Sequence, residues 1–535
     1  MDVTSDDSHS RRVGRRSYLR GTLIGLGTLS VTGVAAADQS DEQCFIEESN
    51  ETEERDETED QEETEELDET EDQEEIEEQY ETVIDVVEAG ADPEGNESIT
   101  AVLREVVDDD TLLTFPAGRY YMDEQLRFTG FENVGFVGEN ATLVPAPYHE
   151  FDGPQYRLFR LGTSDVPGRD LRFEGFDVDQ TADETGIRVI NAEVEDGLLV
   201  RDVTVHGVHD SGTWGPGLFN VTDPDGEGVV TRFRAEDGAV HVDETPNAGN
   251  RWRGATGIIV NPAHRGTLVF EDCSLGGFPD NGLYSSNETG RVGIDGGRFR
   301  NSATASIRLN GTTGAIRDAT VAVDDDPHDS DGQHAIRLDG GDHSLENVTV
   351  DVPQPNGDAI RIMNDVDSAS ISSSELTVGG RPNTGVRIDP AAGATTLEDV
   401  TIDIDGSANA VRILGGDAEP VVLEDVQITG DAVGTRNRHA IFCERSGCRF
   451  VGLDVEQVGG DSRRGLDLRG SDYVVADSEF VTTHTPIVVN GGDDVTIENT
   501  VARSVDDGYS LRITGDSGTV GLEGNEFPDG VRDDR

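Results

Sequence analysis

Four residues in this chain could together take a proton from an acidic sugar. His334 stands three residues before Arg337, and Asp358 stands three before Arg361. The two pairs are 24 residues apart, about one repeat of the chain. A base, a carboxylate and two fixed cations are what β-elimination of a uronate requires. The cations neutralise the sugar carboxylate, the base removes the adjacent proton, and the leaving oxygen is protonated. His334, Asp358, Arg337 and Arg361 are therefore candidate catalytic residues. The competing reading is a polar ladder along a turn, shared with Asn281, Asn409 and His439.

A second set could bind rather than react. Arg308, Arg337, Arg361, Arg387 and Arg412 each stand between two apolar residues, as in Ile336-Arg337-Leu338. Guanidinium groups fork onto carboxylate or sulfate. Phe219, Tyr284 and Trp214 supply aromatic faces for sugar rings. The row could equally be neutralised by Asp and Glu of adjacent columns. Another candidate surrounds His206, His209, Asp210 and Trp214, where Trp214 could act as a sugar-stacking lid or pack under the 243–256 insertion. No His/Cys spacing indicates a metal site, so no metal ligand is assigned. Calcium could bridge carboxylates of protein and uronate, but acidic residues are too abundant for spacing to name ligands.

These residues share one context. From Thr185 the chain repeats a small residue, an apolar-x-apolar triplet and a turn. From Ile258 to Leu511 the triplets recur at steps of 21–30 residues, near 25. Such a period signals a solenoid. In a strand the flanking apolar residues point inward, so the middle residue points out. The outward column then reads Arg188, Phe219, Ile259, Tyr284, Arg308, Arg337, Arg361, Arg387, Arg412, Phe442, Asp467, Val488 and Arg512. A second strand follows in each coil, as in Leu345–Val350, Leu397–Ile402 and Leu423–Ile428. Asn347, Asp399 and Asp425 share a column that suits the left-handed turn conformation. Short strands with Gly/Asn/Asp corners predict an all-β parallel β-helix. The Leu-x-x-Leu-x-Leu pattern of a leucine-rich repeat is absent.

The segment before the repeats carries Gly90-Ala91-Asp92-Pro93-Glu94-Gly95, then Ile99, Val102, Leu103 and Val106 on one helix face, then Phe115-Pro116-Ala117-Gly118-Arg119-Tyr120. This order resembles the N-terminal cap of right-handed parallel β-helix proteins of the pectate-lyase-like superfamily. The resemblance covers residues 83–145. It implies a short capping helix and a carbohydrate-active protein, without fixing the reaction. The expected solenoid has about 13 coils of about 25 residues, spanning 146–535. Hydrolases of that superfamily place several Asp on the outward face, where this chain offers only Asp467. The chain has no lysine, which excludes a lysine base. A polysaccharide lyase acting on an acidic polysaccharide is the leading expectation, with a glycoside hydrolase less favoured. The alternative is a non-catalytic surface protein that binds polysaccharide or a cell-surface glycan.

The 535 residues carry a net charge of −69. Residues 47–81 hold 22 acidic residues and one Arg, so the remaining chain still carries −48. That balance excludes a nucleic-acid binder with a globally basic surface. Arginine without lysine on an acidic chain resembles proteins of extreme halophiles, where multimolar salt screens self-repulsion to about 3 Å or less. A calcium-loaded surface in ordinary salt is the other reading. Arg15-Arg16, the uncharged run 21–37 and Ala35-Ala36-Ala37 predict a Tat signal over 1–37 and a secreted or cell-surface protein. The acidic tract 38–82 has too little apolar content to fold and reads as a tether. No apolar run after the signal is long enough for a membrane span. Cys44 lacks the context of a lipid anchor. Cys273 reads as a core residue, and a Cys443–Cys448 disulfide is open to an exported protein. Asn-x-Ser/Thr sequons stand at Asn50, Asn96, Asn140, Asn220, Asn287, Asn310 and Asn347.

Overall fold

The computed structural model describes residues 75–535, apart from 152–155, 213, 247–253, 287–288, 331, 355, 381–382, 435–438, 461 and 507. The expected signal 1–37, Cys44, the acidic tract as far as 74, and the sequons at Asn50 and Asn287 lie outside the described residues. From Thr82 onward the chain winds into a parallel β-solenoid with three sheets. No described helix is long and apolar enough to cross a membrane.

The core is one continuous stack of Ile, Val, Leu and Phe. Alternation explains it: in Ile336-Arg337-Leu338 the outer pair is fully buried and the arginine is half-buried. A helix spans Thr100–Val106, with Ile99 and Leu103 buried as the apolar spacing predicts. The left-handed column is present, with φ of 54° at Asn347, 54° at Asp399 and 51° at Asp425. A short polar side chain tolerates that conformation and bonds its neighbours along the stack. Ser373 donates to Asp399 Oδ2 at 3.2 Å, and Asn499 to Asp477 Oδ1 at 3.1 Å.

The front sheet carries the arginine row. Its outward column is fixed by strand register as Arg127, Arg160, Asn191, Leu218, Ile259, Tyr284, Arg308 and Arg337. It continues through Arg361, Arg387, Arg412, Phe442, Asp467, Val488, Arg512 and Arg532. Sixteen front strands therefore stand where periodicity predicted about thirteen coils. The three additional strands are Leu126–Phe128, Arg157–Leu161 and Val531–Asp533.

Two expected outward residues are not in this column. Phe219 is fully buried against Phe233 and Phe270. Gly217, not Leu218, takes the core slot paired with Ile258. A Cβ at Gly217 would come 2.7 Å from the Phe219 ring, so the missing side chain makes room for the phenyl group. Arg188 pairs with Arg157 and precedes the column residue Asn191 by three positions. It is buried, with Nε donating to Gly215 O at 2.9 Å.

Candidate functional site

Arginine pairing along the front face follows from strand geometry. Residues i and i+2 share a face. Arg337-Leu338-Asp339 and Arg387-Ile388-Asp389 therefore set a carboxylate beside each arginine on its own strand. Arg337 Nε donates to Asp339 Oδ1 at 2.6 Å, and Arg387 Nε to Asp389 Oδ1 at 3.1 Å. Arg308 and Arg361 have no acid two residues on, and each borrows from the next coil. Arg308 Nε donates to Asp339 Oδ2 at 2.6 Å, and Arg361 Nη2 to Asp389 Oδ2 at 3.1 Å. Each aspartate thus bridges two guanidinium groups. Stacked cations about 4.8 Å apart, the strand spacing, are held without mutual repulsion deciding the geometry.

Arg412 is followed by Leu414 at i+2 and makes no ion pair to a described residue. Its guanidinium lies 5.6 Å from the Phe442 ring, whose other neighbour is Arg469 at 4.6 Å. At the other end of the row Arg308 stacks on Tyr284 at 4.4 Å. The face is a ladder of cations and aromatic rings in register. Its five central arginines face three carboxylates, those of Asp339, Asp358 and Asp389.

His334 and Asp358 are brought together, but through the backbone. His334 Nδ1 accepts the Asp358 N–H at 3.0 Å. Both residues are buried, with 7% and 8% of their surface exposed. Burial pushes the His334 pKa down to about 4 against the opposing pull of Asp358, so the imidazole is neutral. His334 Nδ1 also lies 3.2 Å from Asp358 O, so the Asp358 backbone engages this nitrogen in either tautomer. Asp358 Oδ1 accepts the Thr384 N–H at 3.2 Å, and Oδ2 lies 3.9 Å from Arg361. These bonds are those of a capped turn column, and Arg337 is directed to Asp339.

In the second candidate group, His206 and Asp210 are held by different partners. His206 pairs with Asp177 at 2.7 Å, on the strand pairing that carries Asp179 and His206. Asp210 accepts the Glu184 and Gly186 N–H groups at 2.6 and 2.9 Å, which fixes a turn. His209 is buried and Trp214 is 45% exposed. Cys443 and Cys448 are buried free thiols, each donating to Arg445 O at 3.3 Å. Cys273 is a fully buried core residue.

Sequence reasoning missed the first two arginines of the column. Phe159-Arg160-Leu161 and Leu126-Arg127-Phe128 carry the apolar-Arg-apolar signature. The repeat that starts at Thr185 leaves them out, because they belong to the longer N-terminal coils. Arg160 makes no hydrogen bond or ion pair to a described residue, nor does Arg127. Arg157, three residues before Arg160 on the same strand, is 4% exposed and donates from Nη1 to Asn191 Oδ1 at 2.8 Å. Among the described residues no cluster of three or more His, Cys, Asp or Glu is arranged to hold a metal.

No protein-family model matches the chain, and no curated protein matches it. Solved structures show a distant likeness to the chain. The bacteriophage Phi29 gene product 12 N-terminal fragment is 10% identical, covering 83% of this chain and 93% of that one, with a TM-score of 0.47. The catalytic unit of a GH87 α-1,3-glucanase from Streptomyces thermodiastaticus is 16% identical over 84% of this chain and 69% of that one, with a TM-score of 0.34. The A-module of the Azotobacter vinelandii mannuronan C-5 epimerase AlgE6 is 10% identical over 83% and 98%, with a TM-score of 0.37. Likenesses of this degree carry no argument about activity, which rests on the front face itself.

Proposed function

We propose that this chain is an exported polysaccharide-binding solenoid that lays an acidic glycan along its front sheet. The observation that carries the reading is the register. Nine arginines, with Tyr284 and Phe442 between them, occupy one column across sixteen parallel strands. A repeating array of cations and rings matches a repeating polymer of charged sugars. It is a local excess of positive charge on a chain of net charge −69. High salt screens the long-range repulsion between such a chain and an acidic glycan, while contact-range guanidinium–carboxylate bonds persist. The Tat-like N-terminus and the acidic tract fit a protein that works outside the cell, held away from the envelope.

Binding is favoured over β-elimination at His334. The imidazole spends Nδ1 on a peptide N–H, and Asp358 spends its carboxylate on a turn and on Arg361. The test is incubation at high salt with oligogalacturonate, alginate, a sulfated dextran and a neutral glucan. Saturable binding of the acidic polymers without unsaturated or reducing ends is the expected result. Unsaturated products that disappear in His334→Gln would overturn the non-catalytic reading. Absence of binding to every polymer would overturn the carbohydrate reading.

A further inference from the structure

Buried arginines in this fold are normally dressed by backbone carbonyls. Arg445 Nη1 donates to Ala392 O at 2.8 Å and Glu419 O at 3.1 Å, and Nη2 donates to Asp389 O at 2.7 Å. Arg463 Nη1 donates to Ala408 O at 2.7 Å, and Nε to Gln457 Oε1 at 2.5 Å. Those two are structural staples. Arg157 is different. Among the described residues its hydrogen bond is to Asn191 and no carboxylate lies within ion-pair distance, and its buried Nε, like that of Arg445, has no partner. The Arg160 Nε is likewise buried without a partner.

Arg160 is the strand neighbour of Arg127, and Asn191 is the next residue of the same column. The Arg157 guanidinium, held at Asn191, therefore reaches the front of the sheet beside Arg160. Burial, then the nearby Arg160 charge, push the Arg157 pKa down to about 10, with Arg127 adding to the effect and Glu193 opposing it. Glu193 itself accepts from Asn191 at 3.2 Å and Asn220 at 3.1 Å. None of the three arginines has an acid at i+2 on its strand, since Phe159, Gly162 and Thr129 stand there. Three cations thus converge without the aspartate bridges that neutralise the row further along. Buried or crowded charge of this kind is costly unless a counter-charge completes it.

We propose that Arg127, Arg157 and Arg160 form an oxyanion subsite at the N-terminal end of the front face. It takes the carboxylate or sulfate group of an acidic glycan. Arg127 is exposed and Arg160 half-buried, so their outer guanidinium edges meet the anion. Arg157 lies behind them as a third, inaccessible charge. The inference rests on the glycan-binding reading and assigns the position where an acidic group is anchored. Arg308 and Arg337, by contrast, have their Nε groups committed to Asp339.

The test compares wild type with Arg127→Gln, Arg160→Gln and, as a control on the third sheet, Arg298→Gln. Affinity for oligogalacturonate, dextran sulfate and a neutral glucan is measured by calorimetry at high salt. Loss of one charge-assisted contact should weaken the acidic ligands about tenfold, leaving the neutral glucan and the control unchanged. The preferred acidic probe distinguishes a carboxylate from a sulfate source. A selenate soak should show an anomalous peak between Arg127 and Arg160 that vanishes in Arg160→Gln. Unchanged acidic-glycan affinity in both variants would overturn the subsite while leaving the binding face intact. If no glycan binds wild type, the functional reading falls, and the selenate peak alone decides whether the oxyanion site exists. Arg127→Gln alters an exposed residue, so the test does not depend on a buried variant folding.

Discussion

The two arginine groups of the front face are built on the same strands yet solve the charge problem differently. In the middle coils Asp339 and Asp389 each bind two guanidinium groups. At the N-terminal end no described carboxylate lies within ion-pair distance of Arg127, Arg157 or Arg160, although Glu193 lies near enough to oppose the lowering of the Arg157 pKa. The middle group has its bridging carboxylates in the free protein, whereas the N-terminal group gains a bridging counter-charge only with an anion. Within the column, the acid at i+2 serves Arg337 and Arg387, and the same acid seen from the neighbouring coil serves Arg308 and Arg361.

Asp389→Asn attacks the comparison hardest. Asp389 is 3% exposed and holds both Arg361 and Arg387. Its loss should destabilise by about 3 kcal/mol, because two crowded cations lose their common counter-charge. Chemical denaturation in constant high salt would show it. Asp339→Asn should cost less, about 1–2 kcal/mol, because its side chain is 14% exposed and water can compensate. Arg160→Gln should change stability by less than about 0.5 kcal/mol or raise it, since it removes repulsion rather than attraction. A loss as large as that of Asp389→Asn would show that Arg160 is a structural cation after all.

A pH experiment separates the turn column from a catalytic site. The His334 pKa is lowered to about 4 in the folded protein, from 6.5 when unfolded. Between these values the unfolded chain binds the extra proton, so folding stability rises with pH and is fully present above pH 6.5. As pH falls from 6.5 towards 4 that contribution is lost, at most about 3 kcal/mol. His334→Gln should flatten this part of the stability profile only in part, because burial also lowers the pKa of His264 and His343. Arg412→Gln should have the smallest effect of the set, about 0.5–1 kcal/mol, the value of a partly exposed cation–π contact with Phe442.

The fold was legible because its signals are periodic. Ile336-Arg337-Leu338 and its counterparts announce strands with an inner and an outer face, and Asn347, Asp399 and Asp425 announce the left-handed corners. The misreadings arose where one residue changed the register. Gly217 replaces a core side chain, so Phe219 reads as outward when its ring in fact fills that space. Arg188 reads as a column member because Ile187 and Val189 flank it, yet the true strand register centres on Asn191. The candidate site was legible in its residues but not in their partners. The Asp339 and Asp389 bridges follow from i+2 spacing, whereas the acids that Arg308 and Arg361 borrow come from a neighbouring coil and need the register. His334 and Asp358 share a column as expected, but only the structure shows that a backbone N–H joins them.

The most direct test of the account is a structure of the protein with an acidic oligosaccharide bound at high salt. The ligand should lie along the front sheet, with one carboxylate or sulfate between Arg127 and Arg160 and its sugars running toward Tyr284 and Arg308. A ligand bound on the second or third sheet, or one crossing the front face without an anionic group at Arg127 and Arg160, would contradict it.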